Sequence, residues 1–216
     1  YFDSTINKVY IEDYGLGGFI SIDNSESGVI PTLIAYGSDI IDRGYDFTSG
    51  SGSTGGLSPI SYQLSGFAGS RILKIEWKNV GFYSDIDDNN ISTDYVNFQL
   101  WLYEGSNNFE IRFGPNSVTQ PSLSYDGATG TFIGLMPQYN YSTDLLGAYG
   151  YFLENLASNP TYTTINSIDS VKFLNGTIPN GTIYKFTKTG GSVSIIENKP
   201  TFKSKIFPNP ANNYIN

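Results

Sequence analysis

The sequence contains neither cysteine nor histidine among its 216 residues. Without cysteine, the chain forms no disulfide and offers no thiolate nucleophile, redox motif or cysteine-based zinc site. Without histidine, it lacks the commonest general base, the usual catalytic triads and most transition-metal sites. Any bound metal must therefore be held by oxygen atoms, which points to calcium or magnesium.

Positive charge is also scarce, with 12 Lys and Arg against 20 Asp and Glu and a net charge of −8. Residues 1–184 hold 7 basic and 19 acidic residues, whereas residues 185–216 hold 5 basic and 1 acidic residue. Because an acidic body repels phosphate backbones, we expect no nucleic-acid partner. No apolar run approaches the roughly 18–20 residues that span a bilayer, so no membrane span is predicted.

Glycine and aromatic residues are abundant instead, with 24 Gly, 17 Tyr and 14 Phe, a usage typical of short strands joined by turns. Helical patterning is nearly absent, and only residues 144–157 could form a helical turn or two. We therefore predict an all-β fold, a single antiparallel β-sandwich such as a jelly roll, over residues 1–186. Residues 187–204 are polar and contain lysine and glycine, which predicts a linker.

The middle of the chain has the clearest strand pattern. Leu73, Ile75 and Trp77 alternate with charged residues, which predicts one buried and one solvated face over residues 71–80. Residues 96–103 and 109–113 alternate in the same way around the turn sequence Glu-Gly-Ser-Asn-Asn, which predicts a β-hairpin. Further strands are predicted at residues 18–23, 29–36, 60–65, 131–136, 171–174 and 182–186.

The C-terminal residues 205–216 place an aromatic residue before Pro-Asn-Pro-Ala and then, two residues on, an aromatic-Ile pair. This order resembles the opening of a type A C-terminal sorting domain of the type IX secretion system. The resemblance implies a Bacteroidetes protein exported across the outer membrane, secreted or held at the outer cell surface, with the type IX machinery as its partner. Since the chain opens at Tyr1 without methionine, we also expect a mature chain whose export signal has been removed. The residues that carry the resemblance are Phe207, Pro208, Asn209, Pro210, Ala211, Tyr214 and Ile215.

The central strands resemble nidogen-like extracellular domains. The matching features are a strand ending in Trp-x-x-Val over residues 71–80, a Phe-Gln strand over residues 97–104, and a return strand ending in Phe-Gly over residues 109–114. The resemblance implies an adhesion or matrix-type module without an active site. We therefore expect a secreted or cell-surface, non-catalytic binding or adhesion module.

An acidic segment is the candidate metal site. Asp and Asn oxygens on a tight loop suit calcium, which takes six to eight oxygen ligands. An EF-hand is excluded, because Asn90 stands where that loop needs glycine and Val96 stands where it needs glutamate. A looser calcium loop in a calcium-stabilised carbohydrate-binding module and a solvated turn both remain open. The candidate ligands are Asp85, Asp87, Asp88, Asn89 and Asp94.

Aromatic residues outside the predicted core are candidates for contact with a glycan or another cell-surface ligand. Trp101 and Tyr103 lie on the strand face opposite Phe98 and Leu100. They form either a covered central strand or an exposed platform for sugar rings, joined by Tyr139 and Tyr141. Core packing is favoured for Trp77.

A small secreted hydrolase is the enzymatic alternative, since two facing carboxylates can hydrolyse a glycosidic bond. Glu76, Glu104 and Glu110 are the candidate carboxylates, but pairing with neighbouring cations such as Lys78 and Arg112 explains them at least as well. We therefore expect no enzymatic activity.

Two short motifs are candidates for modification. Asp3-Ser4-Thr5 and Asp169-Ser170-Val171 resemble the Asp-Ser/Thr-apolar O-glycosylation motif of exported Bacteroidetes proteins. The resemblance implies that Ser4 and Ser170 carry sugars.

Overall fold

The computed structural model describes residues 7–12, 18–21, 29–45, 56–91, 93–140, 142–189, 192–197 and 213–214. The chain forms two compact units that alternate along the sequence. Unit 1 comprises Tyr1–Ile40 and Tyr125–Thr177, and unit 2 comprises Ile41–Ser124 and Ile178–Asn216. The chain therefore leaves unit 1, builds most of unit 2, returns to unit 1 and ends in unit 2.

Unit 1 contains an eight-stranded sheet in the order β1-β2-β3-β9-β11-β12, with β10 pairing β9 and β13 pairing β11. All of these pairs are antiparallel except β11 with β13. In the sequence, β3 precedes and β9 follows most of unit 2, so their pairing joins the two segments of unit 1. The strands are β1 (Tyr10–Glu12), β2 (Phe19–Ser21), β3 (Val29–Ile34), β9 (Gly134–Asn140), β10 (Leu145–Leu146), β11 (Gly150–Leu156), β12 (Thr161–Ile165) and β13 (Leu174–Asn175).

Apolar side chains of β3, β9, β11 and β12 form the core of unit 1. Ile34, Met136, Phe152 and Ile165 are buried against one another. Phe152 lies against the backbone of Gly134, where an added Cβ would come 2.6 Å from the phenyl ring and 2.6 Å from a main-chain oxygen. Glycine is therefore required at this position because any side chain would collide with the core.

Unit 2 contains the second eight-stranded sheet, in the order β15-β14-β8-β7-β6-β5-β16, with β4 pairing β6. The pairs along this order are antiparallel. Within the described residues, the helical elements are α1 (Tyr83–Asp87) and α2 (Pro121–Ser124), which lie between strands of unit 2, and a 3-10 turn in unit 1 over Ile168–Ser170. The strands are β4 (Ile40–Asp42), β5 (Ile60–Ser65), β6 (Ile72–Phe82), β7 (Val96–Tyr103), β8 (Phe109–Phe113), β14 (Ile183–Thr189), β15 (Ser192–Glu197) and β16 (Asn213–Tyr214).

Aromatic rings dominate the core of unit 2. Trp77 stacks on Phe98 with ring centroids 4.8 Å apart, and Phe98 lies 6.2 Å from Phe113, which meets Tyr184 edge-on at 5.5 Å. All four side chains are almost completely buried, as predicted for Trp77. Large offset or edge-on rings bury much apolar area and favour these contact geometries.

The predicted all-β class with antiparallel sheets is confirmed. The central hairpin is confirmed at its predicted limits, since β7 and β8 cover residues 96–103 and 109–113 and pair antiparallel. The strand predicted at residues 60–65 is also confirmed. The single domain over residues 1–186 stays a prediction.

Three local predictions were wrong. Residues 144–157 contain β10 and β11 rather than a helical turn, because their sheet partners outweigh weak local helical preference. The predicted strand at residues 171–174 is replaced by a loop that ends in β13. The predicted linker, residues 187–204, begins inside β14 and contains β15, because the alternating Ser-Val-Ser-Ile pattern pairs with β14.

No helix in the described part of the chain has the length and apolar character needed to cross a membrane.

Candidate functional site on the polar face of unit 2

Trp101 lies at the centre of a cluster on the polar face of β6, β7 and β8. Its strand, β7, runs between β6 and β8, and the register places Lys74 and Glu110 opposite it. The Lys74 ammonium lies 4.2 Å from the indole centroid and the Arg112 guanidinium 3.7 Å. Since each cation comes from a different neighbouring strand, the ring is held by two cation–π contacts, each contributing about 0.5–1 kcal/mol at an exposed site.

Glu110 connects these cations to the neighbouring strand β14. Its Oε2 accepts hydrogen bonds from Arg112 Nε at 2.9 Å and Arg112 Nη2 at 2.5 Å, and from the Tyr103 hydroxyl at 2.9 Å. Its Oε1 lies 3.7 Å from Lys185 Nζ. Burial and the hydrogen bond to Glu110 raise the pKa of Tyr103 to about 12, so this phenol donates throughout the neutral range.

Gln99 extends the cluster toward Glu76. Its Nε2 donates to Glu76 Oε1 at 2.8 Å, and its Oε1 accepts from the Trp101 indole N–H at 2.8 Å. Glu76, Gln99 and Glu110 are buried, so the prediction of a solvated face on these strands was wrong here. Hydrogen bonds between neighbouring strands compensate for the loss of water around these groups. We call this set the Trp101 cluster: Lys74, Glu76, Gln99, Trp101, Tyr103, Glu110, Arg112 and Lys185.

Glu104, the third candidate carboxylate, organises the loop between β5 and β6. Its Oε2 accepts from the backbone N–H groups of Gly69 and Arg71 at 2.8 and 2.9 Å, and both oxygens bind the Arg71 guanidinium. The hydrogen bonds from Arg71 lower the pKa of Glu104 to about 2. The loop held in this way presents Phe67 with 88% of its surface exposed.

Each of the three candidate carboxylates accepts a hydrogen bond, and two of them, Glu104 and Glu110, form ion pairs. Glu76 accepts from Gln99, Glu104 from Arg71, and Glu110 from Arg112 and Tyr103. Glu110 pairs with Arg112 on the same strand and with Lys185 on the neighbouring strand, so the predicted cross-strand pairing is found with a cation that the sequence did not indicate. Lys78 forms no ion pair among the described residues.

The acidic segment proposed for calcium is divided between a helix and a strand end. Asp85 lies in α1, where its buried carboxylate accepts from Ser124 Oγ at 2.7 Å. Asp94 is buried and accepts from Thr119, through its backbone N–H at 2.6 Å and its hydroxyl at 2.9 Å. Within the described ranges, no three Asp or Glu side chains are grouped to hold a metal ion. Calcium binding by Asp85, Asp87, Asp88, Asn89 and Asp94 stays a prediction.

The candidate aromatic residues fall into separate parts of the molecule. Trp101 and Tyr103 lie together in unit 2, with ring centroids 6.4 Å apart. Tyr139 lies on β9 in unit 1, where its hydroxyl donates to Asp144. Tyr141 lies outside the described residues. The sugar platform stays a prediction, and within unit 2 the structure places Trp101 beside Tyr103.

The export and modification candidates lie mostly outside the described residues. This holds for Phe207, Pro208, Asn209, Pro210, Ala211, Ile215 and Ser4, whereas Tyr214 is described only as part of β16. Ser170 is half-buried at the end of the 3-10 turn, and its backbone N–H donates to Ser167 at 3.1 Å. Both sets of assignments stay predictions.

Sequence reasoning did not identify Lys74, Gln99 and Lys185 as members of a site. Alternation placed Lys74 and Gln99 on the same face as Trp101, which was a usable signal. Lys185 could not be found in this way, because it joins through the pairing of β14 with β8.

Comparison with known proteins gives one match. A protein-family model described as NIDO related matches residues 18–188, which include β2 to β13 and most of β14. No curated protein and no solved structure matches the chain.

Proposed function

Since the chain belongs to the NIDO-related, that is nidogen-related, family, we propose that it is a secreted or cell-surface binding module whose Trp101 cluster contacts an anionic carbohydrate. Membership of this family supports an extracellular, non-catalytic module. The ligand class and the contact surface are inferred from the cluster.

The single observation that carries the ligand class is the pair of cations over Trp101. Within the cluster, three basic residues face two carboxylates, Glu76 and Glu110, on a chain whose net charge is −8. Lys74 makes no ion pair with a carboxylate in the part of the chain that the structure describes. The indole therefore positions an ammonium group that is available to bind a carboxylate or sulfate of a ligand.

The same contacts determine how a sugar would bind. A sugar ring stacked on the face of Trp101 would have to displace Lys74 or Arg112. Charge recognition by these two side chains avoids this displacement and keeps the hydrogen bonds of Glu110 intact. We therefore propose binding through the anionic groups of uronic acids or sulfated sugars, with the indole edge as a secondary contact.

A glycan array probed with the full chain tests this proposal, with Lys74→Glu as the variant and Lys172→Glu as the control. Lys172 is exposed in unit 1, so both substitutions change the net charge equally. We expect binding to uronate- or sulfate-bearing glycans that is about tenfold weaker in Lys74→Glu, unchanged in Lys172→Glu and weaker at high salt. Binding to neutral glycans alone, or equal losses in both variants, would contradict the proposal.

We also propose export by the type IX secretion system. The likeness of residues 205–216 to a sorting-domain opening and the extracellular character of the family support this route. We expect the full-length protein to reach the medium or the cell surface in a competent bacterium and to accumulate inside a strain without the translocon. Equal secretion by both strains would rule this route out, and it would leave the binding proposal standing.

A further inference from the structure

The outer edge of β5 has the chemistry of a strand-acceptor site. Charged residues and proline are two of the devices by which proteins block sheet edges. The six residues of β5, Ile60–Ser65, include neither. Beside this edge, Leu64 is 55% exposed and Phe67 is 88% exposed. An uncharged edge next to exposed apolar side chains favours the addition of an extended peptide.

A segment of this chain is paired with that edge. Asn213 and Tyr214 form β16, antiparallel to β5, with Asn213 opposite Tyr62 and Tyr214 opposite Ser61. These two residues cover the first half of β5 only. The antiparallel register directs a longer strand toward Gln63 and Leu64.

Gln63 supplies an independent observation. Its Oε1 is buried and has no hydrogen-bond partner among the residues that the structure describes. A buried amide oxygen without a donor costs about 1–3 kcal/mol. A peptide that continues past Tyr62 would bring donors to this part of the strand, from its backbone or from an asparagine side chain.

We propose that the edge of β5 is a strand-addition site and that its occupant is the C-terminal segment of the same chain. Backbone hydrogen bonds to β5 hold the segment, and the apolar side chains of Leu64 and Phe67 give the site its selectivity for an uncharged peptide. The proposal joins the C-terminal residues to unit 2 in the folded protein. It does not depend on which ligand the Trp101 cluster binds.

Disulfide trapping in the full chain tests the register, since the natural sequence has no cysteine to compete. Opposite residues of antiparallel strands lie within the Cα separation that a disulfide spans. We expect Ser61→Cys with Tyr214→Cys to form an intramolecular disulfide about tenfold faster than Gln63→Cys with Tyr214→Cys, which is two residues out of register. A disulfide-linked dimer would show that the occupant comes from a second copy, and equal trapping in both pairs would overturn the site.

A peptide experiment keeps the proposal falsifiable if the cysteine variants do not fold. Replacing Asn213 and Tyr214 by proline in the full chain removes the backbone donors of β16 and should release the edge. We expect a labelled peptide of residues 205–216 to bind this variant at least about tenfold more tightly than the unmodified chain. A peptide carrying the same two prolines should not bind. Equal binding to both chains, or no binding to the variant, would overturn the proposal.

Discussion

The two units have similar strand architecture and differ in how they use charge. Unit 1 holds 10 acidic and 2 basic residues, a net charge of −8, whereas unit 2 holds 10 of each and is neutral. In the described part of the chain, all three ion pairs lie in unit 2: Arg71–Glu104, Arg112–Glu110 and Lys185–Glu110. Both sheets are held by apolar cores, and the ion pairs found among the described residues belong to unit 2.

The difference separates stability from recognition. Each core depends on large buried side chains, Phe152 in unit 1 and Phe98 in unit 2, which charge does not affect. The Trp101 cluster adds a preorganised set of charges in unit 2. Under the proposed function this set of charges serves ligand recognition, whereas the apolar cores serve stability.

The largest expected effect tests whether the two cores are equivalent. Phe98→Ala and Phe152→Ala each remove a phenyl ring with no exposed surface. We expect each to lower the free energy of unfolding by about 3–5 kcal/mol, measured by urea denaturation, because each leaves a cavity. Tyr149→Ala, at an exposed position, is the control and should change it by less than about 0.5 kcal/mol. If either phenylalanine substitution lowers the free energy of unfolding by less than about 1 kcal/mol, the two cores are not equivalent.

An intermediate effect tests whether carboxylates are structural in unit 2 alone. Asp94→Asn weakens hydrogen bonds from Thr119 to a buried carboxylate, so we expect a loss of about 1–3 kcal/mol. Asp144→Asn, at an exposed position of unit 1, should cost less than about 0.5 kcal/mol in the same denaturation experiment. Equal losses of unfolding free energy in Asp94→Asn and Asp144→Asn would contradict the proposed difference between the units.

The calcium prediction can be tested with the same variants. If residues 85–94 bind calcium, its addition should raise the melting temperature of the unmodified chain and of Asp144→Asn but not that of Asp94→Asn. An equal response of all three proteins would exclude Asp94 as a ligand.

The smallest effect concerns pH and has opposite signs in the two units. The hydrogen bonds from Arg71 lower the pKa of Glu104 to about 2, so its contribution is present above the usual glutamate pKa and lost as the pH falls through about 2. In unit 1, burial and the nearby Asp126 raise the pKa of Asp39, so its protonation on acidification favours the folded state. Carboxyl carbon shifts measured by NMR should titrate near pH 2 for Glu104 and above the usual range for Asp39.

Arg71→Gln identifies the cause of the Glu104 shift. We expect the Glu104 midpoint to rise toward the usual glutamate range in this variant and to stay near pH 2 in the control Lys78→Gln. An unchanged midpoint in Arg71→Gln would contradict the assignment.

Features that depend on residues close together in the sequence were predicted correctly, whereas features that depend on residues far apart in the sequence were missed. The hairpin of β7 and β8 was predictable because its alternation and turn residues are local, and the burial of Trp77 followed from the same pattern. Helix α1 was not predictable, because its five residues read as an acidic turn and the hydrogen bond that the buried Asp85 accepts comes from Ser124, 39 positions away. The Trp101 cluster was predictable in part, since alternation gave its face and only strand order brought Lys185 to Glu110.

The pairing of β3 with β9 has a consequence for the order in which the chain can fold. The 84 residues of Ile41–Ser124 are synthesised between the two parts of unit 1, so β3 has no β9 to pair with until they have been made. Closing so long a loop costs entropy before any contact compensates for it, and sheets of high contact order fold slowly. During this interval one edge of β3 stays unpaired, and unpaired strand edges make an incomplete chain prone to aggregation.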